Sequence, residues 1–259
     1  METQNSASLS NHKKIPLNIA GIIVTLGIVF GDLGTSPLYV MKAIVSAAGG
    51  NPNADFIIGA LSCIIWTLTI QTTLKYVIIT LRADNNGEGG IFSLFALMRK
   101  KVKWAYVIAI IGGCTLLADG IITPSITVTS AIEGLKIINP NIPVIPIVIM
   151  IIIALFTVQQ FGTVMLGKSF GPIMFVWFLM LGVLGVSHIW DFPQIFYAFN
   201  PIRAVLFLIQ TPSAFLVLGA VFLCTTGAEA LYSDLGHCGY NNIKISWIYV
   251  KSMFILNYL

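Results

Sequence analysis

Apolar runs of twenty or more residues recur along this chain, at 55–80, 104–133, 142–161 and 170–190. A run of that length crosses the roughly 30 Å hydrocarbon core of a bilayer as a helix. A helix also satisfies its own backbone polar groups where no water is available to do so. Charged residues make up only 9% of the 259 and the mean hydropathy is +0.91. A soluble domain carries about a quarter charged residues, so this chain cannot cover a globular surface. The sequence predicts an all-α polytopic membrane protein. Two further stretches, 15–48 and 204–236, read as spans one and six, and a seventh span begins near 243. Residues 1–14 read as a polar cytoplasmic tail and 15–259 as one transmembrane domain.

That layout leaves no room for a soluble catalytic domain, and no Ser–His–acid pattern is present, so an enzyme is not expected. No cofactor is expected either. A net charge of +4 spread over inter-span segments does not point to nucleic acid. Cys63, Cys114, Cys224 and Cys238 form no C-x-x-C pair, and free apolar thiols are the simplest reading. The first apolar run lacks a small-residue cleavage pattern and reads as a retained span.

Lys and Arg orient the chain. With the N-terminus in the cytoplasm, the inner segments hold Lys13, Lys14, Lys75, Arg82, Arg99, Lys100, Lys101, Lys103, Lys168 and Lys244. The outer ones hold only Lys42, Lys136 and Arg203, with Lys251 left inside span seven.

The informative residues are the acids within the membrane. Asp32, Asp119 and Glu229 fall inside apolar spans, Glu133 lies near the end of one, and no Lys or Arg is expected at comparable depth in the first six spans. A charge at mid-bilayer costs about 2.5–3.5 kcal/mol even on the lenient insertion scale. Acids without basic partners therefore point to a cation, a proton or a water-filled path. Asp32 lies in Gly31-Asp32-Leu33-Gly34-Thr35-Ser36-Pro37, which disfavours a continuous helix. Two half-helices are expected there, Ser36 capping the second and Pro37 opening it, with backbone carbonyls freed in the gap. Asp32 either joins a cation path or caps the second half-helix. Tyr39 either supplies a phenolic oxygen or packs at the interface.

Span six repeats the device in Cys224-Thr225-Thr226-Gly227-Ala228-Glu229. Thr226 and Glu229 have the spacing of a capping box, but a helix start in mid-membrane is itself a broken helix. Interruptions in spans one and six occupy corresponding positions of a five-plus-five inverted repeat, the pattern that marks a transporter binding site. The expected fold is thus one five-span repeat and the start of a second. In span three, Thr115, Asp119, Thr123 and Thr127 share one helical face. Glu133 continues it about 21 Å further out. The stripe reads as one wall of a cation path or as hydroxyl packing between helices. The segment Arg82-Ala83-Asp84-Asn85-Asn86-Gly87-Glu88-Gly89-Gly90 reads as a gate lock or a plain turn.

Four blocks together resemble the Kup/HAK/KT potassium uptake transporters. They are Gly31-Asp32-Leu33-Gly34-Thr35-Ser36-Pro37-Leu38-Tyr39, the 82–90 segment, Ile122-Thr123-Pro124-Ser125-Ile126 with Ser130-Ala131-Ile132-Glu133-Gly134, and the twelve residues from Thr226 to His237. The resemblance covers the chain from about residue 18. It implies the amino-acid–polyamine–cation fold and K+ uptake across the plasma membrane, a bacterial inner membrane if the source is bacterial, coupled to protons as K+/H+ symport by alternating access. It implies ion ligands at Asp32 and Tyr39 of span one, Asp119, Thr123 and Thr127 of span three, and Thr226 and Glu229 of span six. Glu229 and Glu133 are the implied proton-coupling acids. The implied partners are K+, protons and the lipid bilayer. Transporters of this kind have about twelve spans, so a fragment, a homodimer or a second chain supplying further spans is expected. The alternatives are an amino-acid transporter of the same superfamily and a non-transporting subunit.

Overall fold

The computed structural model describes residues 15–49, 52–160 and 163–259. The expected 1–14 tail, with Lys13 and Lys14, lies outside them, as does the side chain of Lys168. Among the described residues the chain is helical throughout, apart from one isolated bridge between Asn85 and Glu88.

Span one divides into α1 (Ile19–Val29), a 3-10 helix (Leu33–Leu38) and α2 (Val40–Ala47). The Asn18 side chain caps α1 by accepting from Gly21 N–H at 2.7 Å. Span two is one continuous helix whose winding changes. It is α-helical in α3 (Ala54–Thr67), π-helical over Leu68–Ile79 and 3-10 over Thr80–Arg82. The hydroxyls of Thr73 and Thr80 donate to the carbonyls five residues back, those of Leu68 and Lys75. After the 82–90 segment come α4 (Ile91–Met98), the long α5 (Ala105–Gly134), α6 (Val144–Gln159) and α7 (Thr163–Ile189). The chain then forms a 3-10 turn (Pro193–Phe199), α8 (Pro201–Gln210), α9 (Ala214–Phe222), a 3-10 turn (Leu223–Thr225), two one-turn helices, α10 (Ala230–Ser233) and α11 (Leu235–Cys238), and α12 (Tyr240–Tyr258).

Among the described residues, four helices are long and apolar enough to cross a membrane: Ala54–Arg82, Ala105–Ile137, Ser169–Ile189 and Ala214–Ser233. The sequence predicted six spans and the start of a seventh, and the difference has local causes. The break leaves span one as helices of 11 and 8 residues, neither of which crosses alone. Predicted span six starts too early, because Thr211-Pro212 separates α8 from α9. α12 carries Asn241, Asn242, Lys244 and Lys251 and is correspondingly less apolar.

The core gathers α1, α3, α7, α9 and α12 around the two breaks. α7 presents glycines where other backbones come close. A Cβ at Gly171 would collide with the Ile23 carbonyl oxygen, and one at Gly185 with the Leu256 carbonyl oxygen. Small residues let membrane helices approach in this way. Trp247 of α12 is fully buried, stacks on Phe30 at 6.2 Å, and donates to the Thr73 hydroxyl at 3.0 Å. α5 and α6 lie against each other at the edge of this assembly, with Leu117, Ile121 and Ile145 outward.

Candidate functional site

Both interruptions keep their backbone hydrogen bonds instead of opening a gap. In span one, Gly34 N–H donates to Phe30, Thr35 N–H to Asp32 and Tyr39 N–H to Ser36. A 3-10 helix pairs each carbonyl with the N–H three residues on. For Gly34 that partner would be Pro37, which has no N–H. Trp177 of α7 supplies the missing donor, its indole N–H reaching the Gly34 carbonyl at 2.8 Å. This corrects the expected layout: Pro37 lies inside the 3-10 helix, the second α-helix starts at Val40 after Tyr39, and no side chain caps it. The Gly34 carbonyl is thus served by a donor and not left open in a gap.

Span six breaks differently. Thr226 (φ −57°, ψ 133°) and Gly227 (φ +85°) are the central residues of a type II turn, closed by Ala228 N–H on the Thr225 carbonyl at 3.0 Å. That turn needs positive φ at its third residue, hence glycine. The capping box is not formed, because α10 starts at Ala230 and no side chain caps it. The two breaks touch. A Cβ on Gly227 would lie 2.7 Å from Leu33 N and 2.9 Å from Asp32 Oδ2.

This contact puts Asp32 opposite the start of α10, and α5 supplies the third side. One carboxylate oxygen each from Asp32, Asp119 and Glu229 lies within 4.8 Å of the others. Two unit charges at that spacing repel by roughly 3.5 kcal/mol at an effective dielectric of ~20. Three ionised carboxylates so placed require a counter-charge, and a cation or a proton supplies it. Hydroxyls surround the triad. Thr123, buried, donates to Asp119 Oδ1 at 2.9 Å. Thr127 pairs with Thr35 at 3.2 Å, tying α5 to the first break. The Tyr39 phenol is buried beside the Ser36 hydroxyl at 3.5 Å and interacts with Thr226. Oxygen ligands of this kind suit hard monovalent and divalent cations.

Of the sequence-derived candidates, Asp32, Tyr39, Asp119, Thr123, Thr127, Thr226 and Glu229 thus converge on the meeting point of the two breaks and α5. Glu133 does not join them. It stands at the far end of α5, ion-paired with Lys42 at 2.6 Å.

A cavity of about 630 Å³ leads away from Asp119 and Glu229. It passes Thr115, Thr225 and Tyr76 and reaches Gly90, Tyr232 and Ser233, beside the 82–90 segment. That segment turns tightly at Asn86 (φ +54°) and Gly87 (φ +85°) and packs on α10 and α11. The Tyr232 hydroxyl donates to the Ala83 carbonyl at 2.5 Å. The Glu88 carboxylate fills the space where a Gly236 side chain would be.

Two participants escaped the sequence reading. Trp177 was foreshadowed by Pro37, three residues past a glycine carbonyl in a tight turn. Lys75 was assigned to the inner surface, yet it lies seven residues inside the span Ala54–Arg82 and lines the cavity with Asp119 and Glu229. The sequence reading gave Lys75 no part in the cavity, because the π-helical winding over Leu68–Ile79 changes which way residues of this stretch face.

Residues 19–259 match the family described as K+ potassium transporter integral membrane domain. A protein of Flavobacterium johnsoniae named "Probable potassium transport system protein Kup" is 57% identical over 98% of this chain and 39% of its own length. Its namesake in Cytophaga hutchinsonii is 58% identical over 97% of this chain and 39% of its own length. Another in Latilactobacillus sakei is 53% identical over 93% and 37%. The chain spans about two fifths of the length of the curated relatives it matches. No solved structure matches it.

Proposed function

The chain belongs to the K+ potassium transporter integral membrane domain family, and from that premise we propose that its acid triad is the K+ site of a potassium uptake pathway. The observation that carries the reading is the convergence of Asp32, Asp119 and Glu229, from three separate elements, to within 4.8 Å. K+ exchanges its water for carboxylate oxygens of the triad and for hydroxyl and phenol oxygens of Thr123, Thr127, Thr226 and Tyr39. Its charge relieves the repulsion among the carboxylates, and a proton does the same. The triad can therefore hold one or the other, which is the physical basis for K+/H+ symport. Glu229, which with Asp119 opens onto the cavity, is the proposed proton carrier. Glu133, held by Lys42, takes a lesser part at the opposite end of α5.

Residues 15–259 form the transporter domain, which lies in the plasma membrane with a cytoplasmic N-terminus. The broken spans one and six move against α5 in alternating access, as first and second halves of an inverted repeat. The cavity toward the 82–90 segment is then the inner vestibule, and the Thr35–Thr127 contact lies on the outer side of the triad. An amino-acid substrate fits poorly, since three carboxylates repel its carboxylate.

The test is growth at limiting K+ of a host without its own K+ uptake, expressing the protein or an Asp32→Asn/Glu229→Gln double variant at matched membrane levels. Rescue by the native protein alone is expected. Equal rescue by the double variant would remove the triad from the mechanism.

A further inference from the structure

The vestibule contains one charge that the K+ site does not use. Lys75 stands on the π-helical stretch Leu68–Ile79 and, among the described residues lining the cavity, is the sole cation. Asp119 and Glu229 are the other charged residues lining that space. It lies within a membrane span and forms no carboxylate salt bridge among the described residues. Its ammonium rests 5.3 Å from the centre of the Tyr76 ring, which also lines the cavity. A cation over an aromatic face is attracted electrostatically to the ring. An intramembrane lysine is costly and by default functional, and this one, an exposed residue of its span, lines the cavity between the triad and the 82–90 segment.

We propose that Lys75 is an electrostatic barrier to cation binding from the side of the 82–90 segment, and so weakens the apparent K+ affinity on that face. The proposal rests on the reading of the triad as the K+ site. A fixed positive charge in a partly apolar vestibule lowers the local concentration of cations there. The same repulsion acts on ions moving either way, so it raises the half-saturating K+ concentration on this face without driving net transport. A K+ ion arriving from the same side meets repulsion before it reaches the carboxylates. The opposite approach, past Thr127 and Thr35, does not cross this charge. Lys75 is thus a positioning charge and not an ion ligand.

The experiment uses the protein as its host makes it, reconstituted in vesicles and sorted by orientation, with Rb+ tracer flux measured from each face. Lys75→Gln is expected to lower the half-saturating Rb+ concentration on the 82–90 side about fivefold at low ionic strength. The opposite face should change less than about twofold. Lys75→Glu should go further in the same direction, the effect should shrink as an impermeant salt is added, and Lys75→Arg should behave as wild type. No change in Lys75→Gln, or an equal change on both faces, would overturn the barrier. The triad reading fails separately: flux that survives unaltered in Asp32→Asn would remove the K+ site, and Lys75's role with it.

Discussion

The two broken spans solve one problem by opposite means. Span one interrupts its helix with a proline and stays wound, borrowing an indole N–H from α7 to serve the Gly34 carbonyl. Span six interrupts its helix with a glycine and unwinds sharply into a type II turn that needs no outside donor. The first break is therefore tied to the body of the protein, whereas the second is closed on itself and leans on Asp32 and Leu33 through Gly227. A break held by a neighbour keeps its shape only while the neighbour stays. A self-contained break can move as a unit. If α7 belongs to the scaffold, span six is the freer of the two.

The largest effect is expected at the point where the breaks touch. Gly227→Ala puts a methyl against Leu33 N and Asp32 Oδ2, and forces an L-residue into positive φ at a cost of about 1–2 kcal/mol. Uptake at limiting K+ should fall by more than tenfold, and native-like uptake in this variant would show that the two breaks need not meet. Next comes Trp177→Phe, which keeps the ring and removes the donor. An orphaned buried carbonyl costs about 1–3 kcal/mol, which thermal unfolding in detergent would read. The same loss from a substitution that preserves the N–H would place the effect in packing instead. Thr35→Val and Thr127→Val should each weaken uptake mildly, with a coupling energy of about 0.6 kcal/mol in a double-mutant cycle, the average for polar pairs between membrane helices. The smallest effect is expected from Lys42→Ala, whose partner Glu133 is exposed at the far end of α5. Its half-saturating K+ concentration should stay within scatter of wild type, and a clear change would draw Glu133 into proton coupling.

Much of this was legible because the relevant physics is short-ranged along the chain. Apolar runs located spans two, three and four to within a few residues, and a glycine-rich polar interruption with an acid located both breaks. The four-residue spacing in α5 placed Asp119 and Thr123 correctly on one face, now seen in their hydrogen bond. What failed to show depended on partners far away or on a change of winding. Ser36 and Pro37 carry a helix-start signal, yet the helix begins at Val40, because Trp177 makes a 3-10 segment containing Pro37 tenable. Thr226 and Glu229 carry a capping signal, yet Gly227 turns the chain between them before a helix can start. Lys75 looked like an inner-surface anchor, since nothing local announces that span two leaves the α-helical register at Leu68.

That change of register bears on how such a span is altered over evolutionary time. A π-helical stretch holds its residues in a wider winding than an α-helix. Removing one residue between Leu68 and Ile79 would let the stretch tighten, rotating everything on one side of the deletion relative to the other. Thr73, which receives hydrogen bonds from Trp247 and Lys251, and Lys75 would then part company in direction without either being substituted. A change of length in span two, and not of side chain, is the economical mutation for redirecting what faces the vestibule.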